Sequence, residues 1–209
     1  MSPLKILITG FAPFGGQELN PAYEALKLLP GVIEGASVVK AELPTVFGKG
    51  AQVLRDLLAA HLPQVVLCLG QAGGRPGLSV ERVAINLKDA AIPDNEGNRP
   101  ADELIRAGGR AAYFSTLPTR RIVRHLQERG IPADLSYTAG TFVCNEVFYS
   151  LLQYQEEEGT GAKGGFIHVP YAPEQAANFS PLAPSLPIAT VAAGVELAIA
   201  LMVNEIQEG

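Results

Sequence analysis

Short apolar segments alternate with segments of helical periodicity along most of the chain. Strands are predicted over 5–9, 65–69, 83–87, 135–138 and 166–169, where apolar and β-branched residues run together. Helices are predicted over 20–29, 49–61, 118–129, from about 147 to 158 and near the C-terminus, where apolar residues recur every three or four positions. This alternation is typical of β-α units that build a largely parallel sheet covered by helices on both faces.

Neither end of the chain predicts a membrane segment. The first apolar run ends at Gly10, which is too short for the core of a signal peptide. The apolar stretch 188–203 is interrupted by Glu196 and falls short of the roughly 20 residues that cross a bilayer, so we expect a C-terminal helix there. No repeat, linker or low-complexity segment divides the chain, and residues 1–209 are expected to form one domain.

The composition narrows the classes of partner. The 209 residues are 47% hydrophobic and carry a formal net charge of -5, and their lysines and arginines are scattered rather than clustered. This distribution gives no electrostatic footprint for nucleic acid or an anionic membrane, and it favours small or neutral ligands. Two cysteines without an export signal predict a reducing cytoplasm rather than a disulfide framework.

The two cysteines occupy different kinds of position. Cys68 lies inside the apolar run 65–69 and is expected to be an inert core residue. Cys144 follows the extended segment 140–143 and precedes a predicted helix. A helix N-terminus lowers the pKa of a thiol and offers backbone N–H groups to an oxyanion, so Cys144 is a candidate nucleophile. The alternative is a buried structural cysteine.

Of the three histidines, His168 is the candidate general base. It interrupts the apolar run 164–170 near the end of a predicted strand, where open α/β sheets place their ligand-binding residues. A histidine there is often a hydrogen-bonded core group, but the pairing with Cys144 favours a thiol and its base at one edge of the sheet. His61 and His125 occupy ordinary surface positions.

Glu81 is the candidate for the group that orients the imidazole. It begins the predicted strand 81–87 after a glycine-rich stretch over 70–77. A salt bridge with Arg75 or Arg82 is the alternative explanation for this carboxylate. The glycine-rich stretch has neither the lysine of a P-loop nor the spacing of a dinucleotide site, which argues against phosphate chemistry.

Two loops carry further candidate functions. Phe11 and Phe14 lie in a loop rich in glycine and proline, where they either line a flat binding slot or fold under the loop. The segment 92–100 has the composition of a turn, and its length allows a lid without supporting one.

Six separated motifs together resemble the pyroglutamyl peptidase I family, also called pyrrolidone-carboxylate peptidases. They are the segments 9–16, 70–74, 81–84, 92–97, 140–145 and 166–170. They occur in the family's order and span most of the chain, so the resemblance is far more specific than any one of them.

The resemblance implies a fold, an activity and a site. The fold is a single-domain α/β/α sandwich with a largely parallel, mixed and twisted central sheet flanked by helices. The activity is that of a cofactor-free, metal-free thiol exopeptidase that removes N-terminal pyroglutamyl residues from peptides. The catalytic residues are Cys144, His168 and Glu81. The substrate-binding residues are Phe11 and Phe14 on either side of the lactam ring, Gln71 through its backbone, Phe142 and Val143. Homotetramers are usual in the family.

One position departs from the family pattern. The family commonly has an arginine immediately before the Ile-Pro-Asp-Asn motif, whereas this chain has Ala91. The full set of oxyanion donors therefore stays open.

The expected reaction passes through a thioester. His168 takes the proton of Cys144, the sulfur attacks the pyroglutamyl carbonyl, and water then hydrolyses the acyl-enzyme. The competing classes are a nucleosidase- or phosphorylase-like enzyme on a similar scaffold, with Cys144 a bystander, and a catalytically inactive binding or scaffold protein. Phosphate dependence would identify the first, and insensitivity to thiol reagents the second.

Overall fold

Nine strands and six helices form the computed structural model, which describes residues 4–208. The strands are β1 Lys5–Phe11, β2 Val32–Ile33, β3 Ala36–Leu43, β4 Val65–Gln71, β5 Leu78–Glu81, β6 Val83–Ile85, β7 Ala112–Phe114, β8 Ala133–Ser136 and β9 Lys163–Val169. The helices are α1 Pro21–Leu28, α2 Lys49–His61, α3 Thr119–Gln127, α4 Val143–Glu158, α5 Pro173–Ala176 and α6 Ile188–Glu208.

Seven strands make one mixed sheet, in the order β2-β3-β1-β4-β9-β5-β8. The pairs β1/β3, β1/β4, β4/β9 and β5/β8 are parallel, whereas β2/β3 and β5/β9 are antiparallel. Strands β6 and β7 form a separate antiparallel pair beside the main sheet. The prediction of a largely parallel, mixed sheet is confirmed.

The alternation of side chains along the strands separates two apolar layers. On one face, Ile8, Leu67 and Ile167 pack with α1, α3 and α6. On the other face, Leu7, Cys68 and Phe166 pack with α2 and α4. Helices therefore cover both faces of the sheet, as the α/β/α expectation required.

Two parts of the sheet differ from the sequence-based expectation. The hairpin β2/β3 was not predicted, because 36–43 mixes Lys40 and Glu42 with apolar residues and its central residues are only half-buried. The predicted strand 83–87 is shorter, and it belongs to the separate pair β6/β7. Glu81 consequently ends β5 instead of beginning the strand that follows.

Helix α6 is longer than expected. It spans 21 residues, and by length and composition alone it could cross a membrane. The prediction that the C-terminal apolar segment is too short to cross a bilayer was therefore wrong. Its buried stripe packs against the sheet and against α1 and α3. The buried positions of this stripe are Val191, Val195, Ala198, Ile199, Met202 and Val203. An apolar helix with this packing is a core helix of the fold.

Gly10, near the end of β1, lets α1 approach the sheet closely. A Cβ atom at this position would lie 2.9 Å from the backbone Cα of Tyr23. We expect Gly10→Ala to lower the free energy of unfolding by about 1–3 kcal/mol, since the backbone of α1 must shift to make room. Gly31→Ala is the control, because no atom lies within 4 Å of its Cβ position. Equal denaturation midpoints for the two variants would contradict this expectation.

Candidate active site

A cavity of about 440 Å³ opens at the edge of the sheet where β1, β4 and β9 end. Parallel strands present their carboxyl ends at one edge, where open α/β sheets form their binding crevices. The lining residues come from these strand ends, from the loops that follow them and from the start of α4. They are Phe11, Phe14, Asn20, Thr45, Gln71, Ala72, Gly73, Arg75, Asp89, Ala91, Ile92, Ala139, Gly140, Thr141, Phe142, Cys144 and His168.

Cys144 is the second residue of α4, and its side chain lines the cavity. The residue is half-buried. Its sulfur lies directly above the end of β4, because a Cβ atom built on Gly70 would be only 2.9 Å from Cys144 Sγ. Gly70 is in register with His168 on the neighbouring strand β9. The fold therefore brings the predicted nucleophile, at the start of α4, and the predicted base, on β9, to one cavity.

The first turn of α4 is held from two sides. The Asn145 side chain accepts a hydrogen bond from the Ile85 backbone N–H at 3.0 Å and donates to the carbonyls of Ile85 and Leu87. The Glu146 carboxylate accepts from the Gly48 N–H at 2.7 Å, immediately before α2. These contacts position Cys144 because they fix the residues that follow it in the chain. Neither contact could be recognised from the sequence.

His168 and Glu81 form a buried pair. His168 Nδ1 lies 2.7 Å from Glu81 Oε1, and the two residues are 3% and 0% exposed. A carboxylate can only accept, so Nδ1 carries the proton in the neutral imidazole and Nε2 is left as a free base. This is the arrangement that a general base requires.

The Glu81–His168 contact crosses an antiparallel strand pair. Ser79 of β5 is in register with His168 of β9. Since side chains two positions apart share a face, Glu81 lies diagonally opposite His168 and beneath α4. The sequence predicted that Glu81 begins a strand, whereas it ends β5, which runs antiparallel to β9, so the two residues meet across one face of the sheet.

The pKa of Cys144 is raised although the residue lies at a helix start. Burial raises the pKa of its thiol to about 12, and the charge of Glu81 adds to this effect. The expected lowering by the helix N-terminus was wrong, because the cost of placing an anion in this buried position is larger. Burial also lowers the pKa of His168, although the hydrogen bond and charge of Glu81 oppose that change. The resting pair is therefore a neutral thiol beside a neutral imidazole.

Cys68 differs from Cys144 as the sequence predicted. It is fully buried on β4, and burial raises the pKa of its thiol to about 12. It packs in the apolar layer under α2 and α4 and does not line the cavity. The pKa of both thiols is raised, so Cys68 differs from Cys144 in that no cavity gives a reagent access to its sulfur.

Aromatic rings form much of the cavity wall. Phe14 and Phe142 both line the cavity, with ring centroids 5.9 Å apart, and Phe47 packs edge-on behind Phe142 at 5.2 Å. Phe11 also reaches the cavity, but it is only 1% exposed and packs against Phe166. Phe14 and Phe142 are thus wall residues, whereas Phe11 belongs to the base of the cavity.

Two other predicted binding residues have different surroundings. The Gln71 side chain turns away from the Cys144 face and accepts a hydrogen bond from Gln175 Nε2 at 3.1 Å, and the same nitrogen lies 3.1 Å from Gln17 Oε1. Binding of a ligand through the Gln71 backbone stays a prediction. Val143 was predicted to bind substrate, but its side chain is fully buried in the core and does not line the cavity.

Several cavity residues were not singled out from the sequence, and they lie in loops after strands. Thr45 follows β3 and donates through its hydroxyl to the Ala12 carbonyl at 2.7 Å. The segment 92–100 is anchored through Asp94, whose carboxylate accepts from the Phe47, Glu96 and Asn98 backbone N–H groups. Burial alone would raise the pKa of Asp94, but these hydrogen bonds together lower it. Position after a strand end is the signal that would have found these residues.

Chemical labelling separates the two thiols without reference to any activity. We expect iodoacetamide at about pH 8 to modify the folded protein once, at Cys144, because only this sulfur borders the cavity. Cys68 should react only after unfolding. Peptide mass spectrometry before and after addition of denaturant measures both sites, and equal labelling of Cys68 in the folded protein would contradict the expectation.

Comparison with known proteins gives one consistent result. A family profile described as pyroglutamyl peptidase matches residues 4–205. A pyrrolidone-carboxylate peptidase from Streptococcus suis is 50% identical over 201 residues, which cover 96% of this chain and 93% of that protein. One from Bacillus cereus is 50% identical over 195 residues, which cover 93% and 90%.

Solved structures agree with these sequence relatives. Pyroglutamyl peptidase I from Bacillus amyloliquefaciens superposes with a TM-score of 0.90 at 49% identity, covering 94% of this chain and 95% of that one. A mutant pyrrolidone carboxyl peptidase from Pyrococcus furiosus superposes with a TM-score of 0.94 at 42% identity, covering 97% and 99%.

Proposed function

The chain belongs to the pyroglutamyl peptidase family, and from this premise we propose that it is a cysteine exopeptidase that removes N-terminal pyroglutamyl residues from peptides through a thioester acyl-enzyme. The observation that carries the proposal is the buried Glu81–His168 pair at 2.7 Å beside the half-buried Cys144 in one cavity. We treat the whole chain as one catalytic domain, since the strands and helices of both layers contribute to that cavity.

Acylation begins from the neutral pair. His168 Nε2 takes the proton of the Cys144 thiol as the sulfur attacks the carbonyl carbon that joins pyroglutamate to the next residue. The new C–S bond makes a tetrahedral oxyanion, which backbone N–H groups at the start of α4 stabilise. His168 then returns its proton to the leaving nitrogen, the C–N bond breaks, and the shortened peptide departs as a free amine.

Deacylation repeats these steps with water as the nucleophile. His168 takes one proton from water, the oxygen attacks the thioester carbonyl, and the C–S bond breaks. The proton returns to the sulfur, and free pyroglutamate leaves. Glu81 accepts from Nδ1 throughout and stabilises the imidazolium that forms in each half-reaction.

The wall of the cavity supports specificity for a lactam. Phe14 and Phe142 offer apolar faces to a flat ring, and the Gln71 backbone offers hydrogen-bonding groups to its amide. A prolyl residue has the same ring size but lacks the ring carbonyl and carries a charged nitrogen. It would leave the backbone groups unpaired, so it should be rejected.

The test compares two conjugates of one reporter amine. We expect the wild-type protein to release the amine from the pyroglutamyl conjugate with kcat/KM about 10⁴-fold above that of the prolyl conjugate. Mass spectrometry of an acid-quenched reaction should find the pyroglutamyl group attached to the peptide that contains Cys144. Comparable rates for the two conjugates, a requirement for inorganic phosphate, or an acyl group on another residue would overturn the proposal.

The acid limb of the pH profile follows from the histidine. His168 must be neutral to accept the thiol proton, and burial lowers its pKa below the ordinary value of 6.5. The base form therefore persists as the pH falls, and we expect kcat/KM to reach half its maximum below pH 6.5. Initial rates in buffers of constant ionic strength measure this midpoint, and a midpoint above 6.5 would contradict the assignment.

We also propose a cytoplasmic location and assembly as a homotetramer. Both cysteines are free thiols in the structure, which supports a reducing compartment such as the cytoplasm. The usual assembly of the family is a homotetramer, and light scattering of the purified protein checks whether this chain forms one.

A further inference from the structure

The guanidinium of Arg75 joins three parts of the fold behind the site. Arg75 lies in the loop between β4 and β5. Its Nη1 donates to Glu81 Oε1 at 2.7 Å and to Ser136 Oγ at 3.3 Å, and its Nη2 donates to the Thr138 carbonyl at 3.0 Å. The contacts tie the end of β5 to the end of β8 and to the loop that leads to Cys144.

Arg75 and His168 share one carboxylate oxygen. Glu81 Oε1 lies 2.7 Å from both Arg75 Nη1 and His168 Nδ1, whereas the buried Oε2 has no hydrogen-bond partner within the described part of the chain. The orientation of the carboxylate thus depends on the two donors at a single oxygen. Without Arg75, only the imidazole that Glu81 is meant to orient would hold the carboxylate in place.

Arg75 also balances the charge of Glu81. Among the described residues that line the cavity, it is the only arginine or lysine. Before proton transfer, the thiol and the imidazole are neutral, and the charges of Glu81 and Arg75 cancel. After the proton has moved from Cys144 to His168, the charges of the thiolate and the imidazolium also cancel. Without Arg75, a thiolate or an oxyanion must form beside an uncompensated carboxylate in a water-poor site.

The electrostatic effects on the two reacting groups agree with this geometry. The charge of Glu81 raises the pKa of Cys144, and the charge of Arg75 lowers it. Arg75 also lowers the pKa of His168, against the opposing effect of Glu81. The titratable or charged groups around this pair are Glu81 on β5, Arg75 before it, Cys68 on β4 and Asp89 in the cavity wall.

We infer that Arg75 is a positioning residue of the reaction, which fixes the Glu81 carboxylate against His168 and neutralises its charge at the moment the thiolate forms. This role rests on the proposed function. A purely structural ion pair would affect only the rate. The proposed role also requires that removal of the Arg75 cation change the pKa of Cys144.

The matched variants are Arg75→Gln, Arg75→Lys and Arg82→Gln. Arg82 is the next residue after Glu81, but its guanidinium stacks on Phe114 at 5.3 Å, donates to the Ser115 carbonyl and forms no ion pair with the Glu81 carboxylate. We expect Arg75→Gln to lower kcat about ten- to a hundredfold with a smaller change in KM. Arg75→Lys should recover part of the loss because it restores the charge, and Arg82→Gln should stay within about twofold of wild type.

The pH dependence of Cys144 alkylation is the second readout. In Arg75→Gln the midpoint for reaction with iodoacetamide should move to higher pH, and the acid limb of kcat/KM should move in the same direction. Arg82→Gln should move neither. Lower activity with both midpoints unchanged would identify Arg75 as merely structural and overturn the inference, as would wild-type kinetics. If Arg75→Gln fails to fold, a folded Arg75→Lys with a partly reduced kcat and an unchanged midpoint supports the inference, whereas wild-type kinetics, or an inactive, folded Arg75→Lys with an unchanged midpoint, contradicts it.

A Cys144→Ser variant distinguishes failure of this inference from failure of the proposed function. If that variant keeps its activity, the thiol mechanism itself is wrong. If it loses activity while Arg75→Gln behaves as wild type, only the role of Arg75 is wrong.

Discussion

Replacement of Cys144 by serine is expected to lower kcat for release of pyroglutamate by about a thousandfold or more. Serine preserves the size of the side chain, but its hydroxyl is a far weaker acid than a thiol. The pKa of His168 is lowered by burial, so the imidazole is a weak base for such a proton. The reporter-amine assay measures the loss, and thermal unfolding of the variant checks that the fold is intact.

Cys68→Ala is the matched control for Cys144→Ser. Its sulfur is fully buried on β4 and does not border the cavity. The change should cost about 1 kcal/mol of stability and leave kcat within about twofold of wild type. Loss of activity in Cys68→Ala together with retention in Cys144→Ser would reverse the assignment of the nucleophile.

Glu81→Gln is expected to lower kcat/KM by about 10²–10⁴-fold. The amide cannot stabilise the imidazolium, and its NH₂ group can donate to Nδ1, which favours the tautomer that carries its proton on Nε2 and cannot act as a base. Steady-state kinetics over a range of pH measure the effect, and Glu81→Asp should recover part of the rate because it keeps the charge.

The control for Glu81→Gln is Glu103→Gln. Glu103 is an exposed carboxylate paired with Lys88 at 3.4 Å, and its removal changes the net charge equally. This control should keep wild-type kinetics. A Glu81→Gln variant that folds and retains full kcat/KM would show that the carboxylate forms only a structural ion pair and does not assist His168.

The fold class could be predicted because most strands are continuous apolar runs. Val65–Gln71 and Lys163–Val169 are buried on both faces, as central parallel strands must be, and such runs are visible in the sequence. Ala36–Leu43 was missed because a strand near the edge is only half-buried and its composition resembles a loop. The direction of β5 could not be predicted, since four residues carry no information about which neighbour they pair with.

The candidate site could be predicted in part for a similar reason. Cys144 and His168 occupy a helix start and a strand end, and such positions can be recognised from local sequence. The thiol's titration could not be predicted, because burial by Phe166 and other distant residues outweighs the local effect of the helix. The shared oxygen of Glu81 is also a product of tertiary structure, and Arg75 was considered only as a partner in an alternative salt bridge.

The antiparallel pairing of β5 with β9 has a consequence for the order of events in folding. The Glu81–His168 contact joins residues 87 positions apart in the chain, and it exists only once the last strand of the sheet has been inserted between β4 and β5. Contacts of such long range form late because the loop between them must first be closed. A chain in which β9 has not yet been inserted therefore lacks the Glu81–His168 contact, and we expect it to be inactive until this strand is in place.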